Sequence, residues 1–265
     1  MATDSKNYKE KAKKCRLKVL DMIASAGTSH IASNFSVIDI AVVLYENLKT
    51  EDEVVWSKGW VAATIYYFLA QQGKIPKEDL ELFSKEIDGK IKYLSLIETT
   101  TPGVYANSGS MGHGLPIACG MALAKKLKGE PGIIYCIMSD GEMNEGATWE
   151  SAAFAAHHKL NNLVVIVDKN KWQAMGRTEE VLDVDIISAF KGFGFFAQNR
   201  DGHSYEDIEG AFSLMQANSG GLPTIFVFNT IKGKGVSFME DKIDYHYKHV
   251  DNESYLKAKQ ELEND

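Results

Sequence analysis

Apolar and polar positions alternate most tellingly between Tyr135 and Asn170. Tyr135-Cys136-Ile137-Met138 is a short apolar run that stops at Ser139-Asp140-Gly141-Glu142. Leu163-Val164-Val165-Ile166-Val167 is a second, β-branched run that stops at Asp168-Lys169-Asn170. Between them Gly146 to Leu160 is rich in alanine, so the pattern predicts strand, helix, strand with the two strands parallel. Parallel strands end on one edge of a sheet, which brings Asp140 and Asn170 together where open α/β sheets bind ligands. An isolated Asp-Gly is, by contrast, an ordinary turn dipeptide.

The rest of the chain extends this pattern. Tyr8 to Ala26 has the spacing of an amphipathic helix that stops at Gly27-Thr28-Ser29-His30. Ser36 reads as the cap of a helix over Val37 to Tyr45. A strand at Val54–Ser57, a helix from Val61 to Gln72 and a helix opened by Pro76 and reaching Ser84 follow. Glu98 to Ser110 is turn-rich, and Gly109-Ser110-Met111-Gly112-His113-Gly114 opens a helix to Lys128. Its glycine spacing is not that of a dinucleotide fingerprint. Beyond the loop from Lys171 to Glu180, the pattern predicts a helix at Asp185–Phe190 and a strand at Phe193–Gln198. A helix to Ala217 capped by Asp201–Ser204 comes next, then a buried strand at Thr224–Phe228 that ends near Lys232-Gly233-Lys234-Gly235. From Ser237 the chain is aromatic and charged, with Tyr245-His246-Tyr247 at the centre. With no repeat, low-complexity tract or linker, the expected organisation is one domain over residues 1–265: an α/β fold with an open, mainly parallel sheet and helices on both faces.

Composition narrows the function. A net charge of −7 argues against nucleic acid as a partner. Cys15, Cys119 and Cys136 lack metal-ligand spacing and read as buried thiols, which fits a reducing cytoplasm. The opening Met-Ala-Thr-Asp-Ser-Lys is not followed by a leader-like apolar segment, and no apolar run approaches the ~20 residues of a membrane helix. A cytoplasmic protein with no membrane partner is expected.

A carboxylate and an amide oxygen at one sheet edge suit Mg2+, which takes few protein oxygens and completes its shell with phosphates and water. Gly141 would let backbone approach such phosphates, and the following helix start offers N–H donors. The predicted strand ends collect Lys58, Asp140, Asn170 and Lys232: a phosphate-and-metal site in outline, at which a cofactor would carry the chemistry.

Asp140-Gly141-Glu142-Met143-Asn144-Glu145-Gly146, followed about thirty residues on by Asp168-Lys169-Asn170, resembles the motif that holds Mg2+ and thiamine diphosphate in thiamine-dependent enzymes. Ser139 stands where the family form has its first glycine. Further segments resemble transketolases in family order: His30-Ile31, Thr101-Pro102-Gly103, Gly109-Ser110-Met111-Gly112, Thr178-Glu179-Glu180-Val181, Asp201-Gly202-His203 and Lys232 through Glu240. The chain is most similar to the separate N-terminal subunits of split transketolases. That resemblance implies the thiamine diphosphate-binding fold and transfer of a two-carbon ketol unit from a ketose or its phosphate to an aldose acceptor. It implies Mg2+ on Asp140, Asn170 and the Trp172 carbonyl. Diphosphate would lie on the Gly141 amide, Lys232 and His246, with Glu142 in the same motif. Gly109 and Met111 would touch the aminopyrimidine by backbone. Glu145 matches a carboxylate near a subunit contact, and His30 and His246 would face the sugar as proton-handling groups.

Plainer roles stand beside these. Glu145 also complements a helix N-terminus, His30 also reads as a loop residue, and His246 between two tyrosines as packed surface. The chain departs from the family at Trp60, where a histidine reaching diphosphate and substrate is usual, at Ser95, where another substrate histidine is expected, and at His113, where glutamine is usual. Trp60 would give the cofactor and substrate region a flat apolar wall. The family's activating glutamate belongs to a pyrimidine-binding domain, for which no second α/β unit is seen before Asp265. The implied partner is a C-terminal transketolase subunit in an α2β2 assembly. The α subunit of a 2-oxo acid dehydrogenase, and a non-catalytic subunit of the same fold, are the alternative readings. If Trp60 tunes the chain away from ordinary pentose phosphates, Trp60→His raises activity on xylulose 5-phosphate; a wild type already efficient on that donor contradicts the idea.

Overall fold

The computed structural model describes residues 5–218 and 221–264. Met1–Asp4, the start of the stretch read for a leader, and Asp265 lie outside them. In chain order the elements are α1 (Ser5–Ala26), α2 (Ile31–Asn47), β1 (Glu53–Trp56), α3 (Ala62–Gln71), β2 (Glu86–Ile87) and β3 (Lys90–Ile91). Then come α4 (Gly114–Lys128), β4 (Ile134–Ser139), α5 (Gly146–His157), β5 (Leu163–Lys169), α6 (Thr178–Val181) and α7 (Ile186–Phe193). The last four are β6 (Phe196–Asp201), α8 (Tyr205–Asn218), β7 (Thr224–Asn229) and α9 (Asn252–Asn264). They group into two compact units, interleaved in sequence: one of Met1–Tyr45, Gly59–Gly109 and Ile231–Asp265, the other of Glu46–Lys58 and Ser110–Thr230.

The unit of Glu46–Lys58 and Ser110–Thr230 holds a five-stranded sheet in the order β1-β4-β5-β7-β6, every neighbouring pair parallel. β4, β5 and β7 are buried almost throughout. Their unbroken Ile, Val and Phe runs are what a parallel strand covered on both faces needs. The edge strand β6 is more open, with only Ala197 buried. Helix α4 packs on β1, β4 and β5, α5 on α4, and α7 and α8 on β6. The α/β, mainly parallel reading is thus borne out. In the β4–β5 register Ser139 pairs with Asp168, so Asp140 follows directly past the ladder. Behind that edge, Lys58 after β1 and Thr230 after β7 both hydrogen-bond the fully buried Asp168 carboxylate.

In the other unit α1 packs on α3 and α9. Helix α2 is buried continuously from Ile31 to Leu44, as an all-round apolar helix must be. Its buried polar groups are matched. Asp39 takes two bonds from Arg16, at 3.0 and 2.7 Å, and Asn34 Oδ1 accepts from the Thr64 amide and hydroxyl at 3.1 and 2.9 Å. Ser36 lies inside this helix rather than capping it. The apolar stripe begins at Ile31, and the Ser36 hydroxyl donates to the Ser33 carbonyl one turn back. The stretch after Pro76 makes only a 3-10 turn, Glu78–Leu82, because few of its residues are apolar enough to bury a longer helix. The β2–β3 hairpin and α9 carry no sequence signal strong enough to predict them: the strands are two residues each, and α9 buries only Ala258 and Leu262. The strand expected at Phe193–Gln198 begins at Phe196 instead, since α7 runs on to Phe193 and closes on Gly194 in the left-handed region.

The three cysteines are free and buried, and burial pushes the Cys119 thiol up to about 12. Among the described residues no helix is long and apolar enough to cross a membrane. Removing one partner of a buried ion pair leaves the other charge uncompensated, so Asp39→Ala should cost about 3–5 kcal/mol. A shift of the urea midpoint at unchanged slope checks this.

Candidate functional site

Within the sheet-bearing unit, β4 ends and the chain turns through a 3-10 helix, Asp140–Asn144, before Glu145 leads into α5. Asp140 is buried, and its Oδ2 accepts from the Lys171 amide at 2.7 Å, one residue past Asn170. Asn170, also buried, accepts from the Trp172 amide at 3.0 Å through Oδ1. The structure therefore brings Asp140 and the start of the 170-loop together. Lys171 carries a left-handed φ of 66°, a strained conformation for a residue with a side chain. That turn aims its amide at Asp140. Trp172 pairs with Arg177 across the loop, and the guanidinium stacks 4.3 Å from the indole centroid.

Gly141 lies beside Met111 and Gln173: a Cβ there would meet Gln173 Cγ at 3.3 Å and Met111 Sδ at 3.8 Å. Gln173 Nε2 is buried without a hydrogen-bond partner, an orphaned donor next to this backbone. Such a group calls for an acceptor. Among the described residues no cluster of three or more His, Cys, Asp or Glu could hold a metal alone. A cation here would have to draw on Asp140, Asn170, a backbone carbonyl and the oxygens of its own ligand, the ligand set Mg2+ takes beside phosphates. The donors present fit a magnesium diphosphate.

Glu142 is placed differently from the ligand contact expected of it. It is fully buried, and its carboxylate accepts from the Ser139 amide at 2.8 Å, the Gly112 amide at 3.0 Å and the Ser57 hydroxyl. Ser57 in turn accepts from the Gly114 amide at 3.0 Å. Glu142 thus ties the end of β1, the glycine loop and the end of β4 into one piece, and it faces no open space. Glu145 precedes α5 without a side-chain capping bond, and its Cβ would lie 2.7 Å from a Cβ on Gly112. Gly112, at φ 78°, is needed for that contact. Lys58, expected among the phosphate groups, spends its ammonium on Asp168.

The other unit holds His30 and His246. His30 has a left-handed φ of 69°. Its amide donates to the His246 carbonyl at 3.2 Å, and its carbonyl accepts from Asn34 Nδ2 at 2.9 Å. Its ring stacks on Trp60 at 4.5 Å, meets His246 edge-on at 4.9 Å and lies against Tyr247. Trp60 Nε1 donates to the Gly109 carbonyl at 2.9 Å. Lys232, buried at 1% exposure, bonds the Ser33 hydroxyl at 3.1 Å and His246 Nδ1 at 2.8 Å. Lys232 is held by a tight turn. Gly233, at φ 81°, leaves only 2.4 Å between a Cβ and the Met239 carbonyl, and its amide donates to Ala32. A pocket of about 240 Å3 opens beside this cluster, lined in part by Thr28, Ser29, His30, Trp60, Ser95 and His249.

Ser33, Asn34 and Gln173 were not among the residues the sequence singled out, and Asp168 stood there only as part of the Asp168-Lys169-Asn170 motif. A charged residue closing an apolar strand marks Asp168, and two polar residues inside an otherwise apolar helix mark Ser33 and Asn34. Nothing in the sequence marks Gln173.

Comparison with known proteins gives concordant results. The family model described as transketolase, thiamine diphosphate binding domain, matches residues 7–265. The chain is 33% identical over 276 residues to one of the subunits of the apulose-4-phosphate transketolase of Actinobacillus succinogenes, covering 100% of this chain and 98% of that one. It is 31% identical over 274 residues to 6-deoxy-6-sulfo-D-fructose transketolase subunit SqwG of a Clostridium species, covering 99% and 98%. The solved transketolase of Campylobacter jejuni is similar with a TM-score of 0.91 at 27% identity, over 98% of this chain. This chain spans only 43% of that enzyme.

Burial raises the Glu142 carboxyl above its usual value, and the donors around it oppose the rise only in part. A carboxyl raised on folding binds its proton more tightly in the folded state, so it favours folding below the unfolded value. That contribution is lost as pH rises through the folded value. The stability difference between wild type and Glu142→Gln should therefore move against wild type as pH climbs through the range just above that of an ordinary glutamate. Urea melts across that range check it; a difference moving the other way contradicts it.

Proposed function

Because this chain belongs to the transketolase family and carries its thiamine diphosphate binding domain, we propose that it is one subunit of a two-chain enzyme. That enzyme moves a two-carbon ketol unit from a ketose or ketose phosphate to an aldehyde acceptor, in the cytoplasm. The observation that carries the reading is Asp140, fixed at the sheet edge against the loop that bears Asn170. The full-length match to proteins that are themselves named as single subunits of transketolases supports a separate partner chain that supplies the pyrimidine-binding domain, and we assign an α2β2 assembly. Their names, apulose-4-phosphate and 6-deoxy-6-sulfo-D-fructose transketolase, support a non-standard sugar as substrate.

In the sheet-bearing unit, Asp140, Asn170 and the Trp172 carbonyl would hold Mg2+, with the Gly141 amide and Gln173 donating to diphosphate oxygens. Met111 would contact the aminopyrimidine by backbone, and Glu145 would lie toward a subunit contact. Glu142 is reassigned from ligand contact to positioning, because its oxygens are occupied by Ser57, Gly112 and Ser139. In the other unit Lys232 would neutralise phosphate charge, Gly109 would offer backbone to the aminopyrimidine, and Trp60 would wall the substrate. Thiamine diphosphate, when bound, supplies the carbon nucleophile. His30 and His246 would hydrogen-bond the sugar's hydroxyls and carbonyl as protons move at the reacting carbons. Strained backbone at His30, fixed from both sides by His246 and Asn34, keeps that ring oriented.

Losing even a residue behind a metal ligand costs about 10–100-fold in affinity, so Asp140→Ala should weaken Mg2+-dependent thiamine diphosphate binding by at least about 10-fold. Titration calorimetry on the chain with its co-purified partner measures this; unchanged affinity contradicts the assignment. The same pair should transfer ketol units and leave pyruvate intact. Pyruvate decarboxylation without transfer would favour a 2-oxo acid dehydrogenase subunit.

A further inference from the structure

Two histidines stand edge to face at 4.9 Å, yet their Nδ1 atoms have partners of different character. His246 Nδ1 lies 2.8 Å from Lys232 Nζ, and His30 Nδ1 lies 2.7 Å from the Ser29 hydroxyl. An ammonium has three donors and no acceptor, whereas a hydroxyl both donates and accepts. We propose that Lys232 locks His246 as a neutral imidazole carrying its proton on Nε2, so that His246 serves as a fixed hydrogen-bond donor and His30 alone takes up and releases the proton. This rests on reading the pair as the groups that face the sugar.

The bond to Lys232 needs a lone pair on His246 Nδ1. Protonating that nitrogen would set two donors, both positive, against each other at hydrogen-bond distance in a place where Lys232 is 1% exposed. Like charges at such range disfavour the second charge strongly. The serine oxygen at His30 Nδ1 suits either state. As imidazolium it donates from Nδ1 to the serine oxygen; as the Nε2–H tautomer it accepts from the serine hydroxyl. Its bond survives each state by rotation of one hydroxyl. Lys232, His30 and Tyr247 press on the His246 ring, and Asp244 opens the 3-10 turn that carries it. Lys232 is itself anchored by Ser33 and by the turn at Gly233, so the ammonium is held toward the ring. Lys232 therefore positions the proton of His246 in addition to any charge it offers a phosphate.

The test is long-range proton–nitrogen correlation spectroscopy on the full chain with isotope-labelled histidine. His30→Gln and His246→Gln spectra assign the two rings among the seven histidines. The expected wild-type result is a neutral Nε2–H pattern for His246 that persists while His30 titrates between about pH 5 and 8. Lys232→Arg, which keeps a donor-only partner, should preserve the pattern. Lys232→Met should release His246 to titrate near the ordinary value of about 6.5. An Nδ1–H pattern on wild-type His246, or His246 protonating together with or before His30, overturns the proposal. So does a spectrum unchanged in Lys232→Met; if that variant does not fold, the wild-type titration decides. The readout is independent of turnover, so a chain without transferase activity would defeat the functional reading and leave this result standing.

Discussion

The parallel register between β4 and β5 is the constraint on which the sheet-bearing unit depends. Once Ser139 pairs with Asp168, Asp140 must emerge past the ladder, and the Lys171 amide reaches back to it at 2.7 Å. A slip of one residue would turn each side chain to the opposite face. Two buried carboxylates keep the register from slipping. Asp168 draws in Lys58 and Thr230 from flanking segments, and Glu142 draws in Ser57 and Gly112. Both carboxylates are fully buried and taken up by these donors, so they hold the strand ends and the glycine loop in place.

The other unit relies on a different device. Helix α2 is apolar on all sides, yet presents Ser33, Asn34 and Asp39 at chosen points. Ser33 reaches Lys232, Asn34 holds the carbonyl of the strained His30, and Asp39 fixes Arg16. Arg16 then donates through Nε to the Lys234 carbonyl at 3.0 Å. A single helix thus orients both the histidine and the lysine, and through Arg16 it ties α1 to the turn that follows Lys232.

The sheet was legible in the sequence because its central strands are long β-branched runs broken by polar turns, a signal that survives without tertiary context. That Asp140 meets the loop bearing Asn170 at one sheet edge followed from parallelism alone. Ser36 misled because a serine before an apolar run looks like a cap, and its burial inside α2 depends on packing the sequence does not display. The hairpin at Glu86–Ile91 and helix α9 bury too little to leave a periodic trace. The position of Glu142 was illegible for another reason. A carboxylate beside a metal motif looks like a ligand until its donors are seen, and those come from residues up to 85 positions away.

The measurement that bears most directly on the whole account is the native mass of the assembly recovered from its own cells, with its small molecules retained. A second chain in equal copies, carrying thiamine diphosphate and Mg2+, is the expected result. A lone chain without cofactor would contradict it, leaving the fold intact and the transferase reading without support.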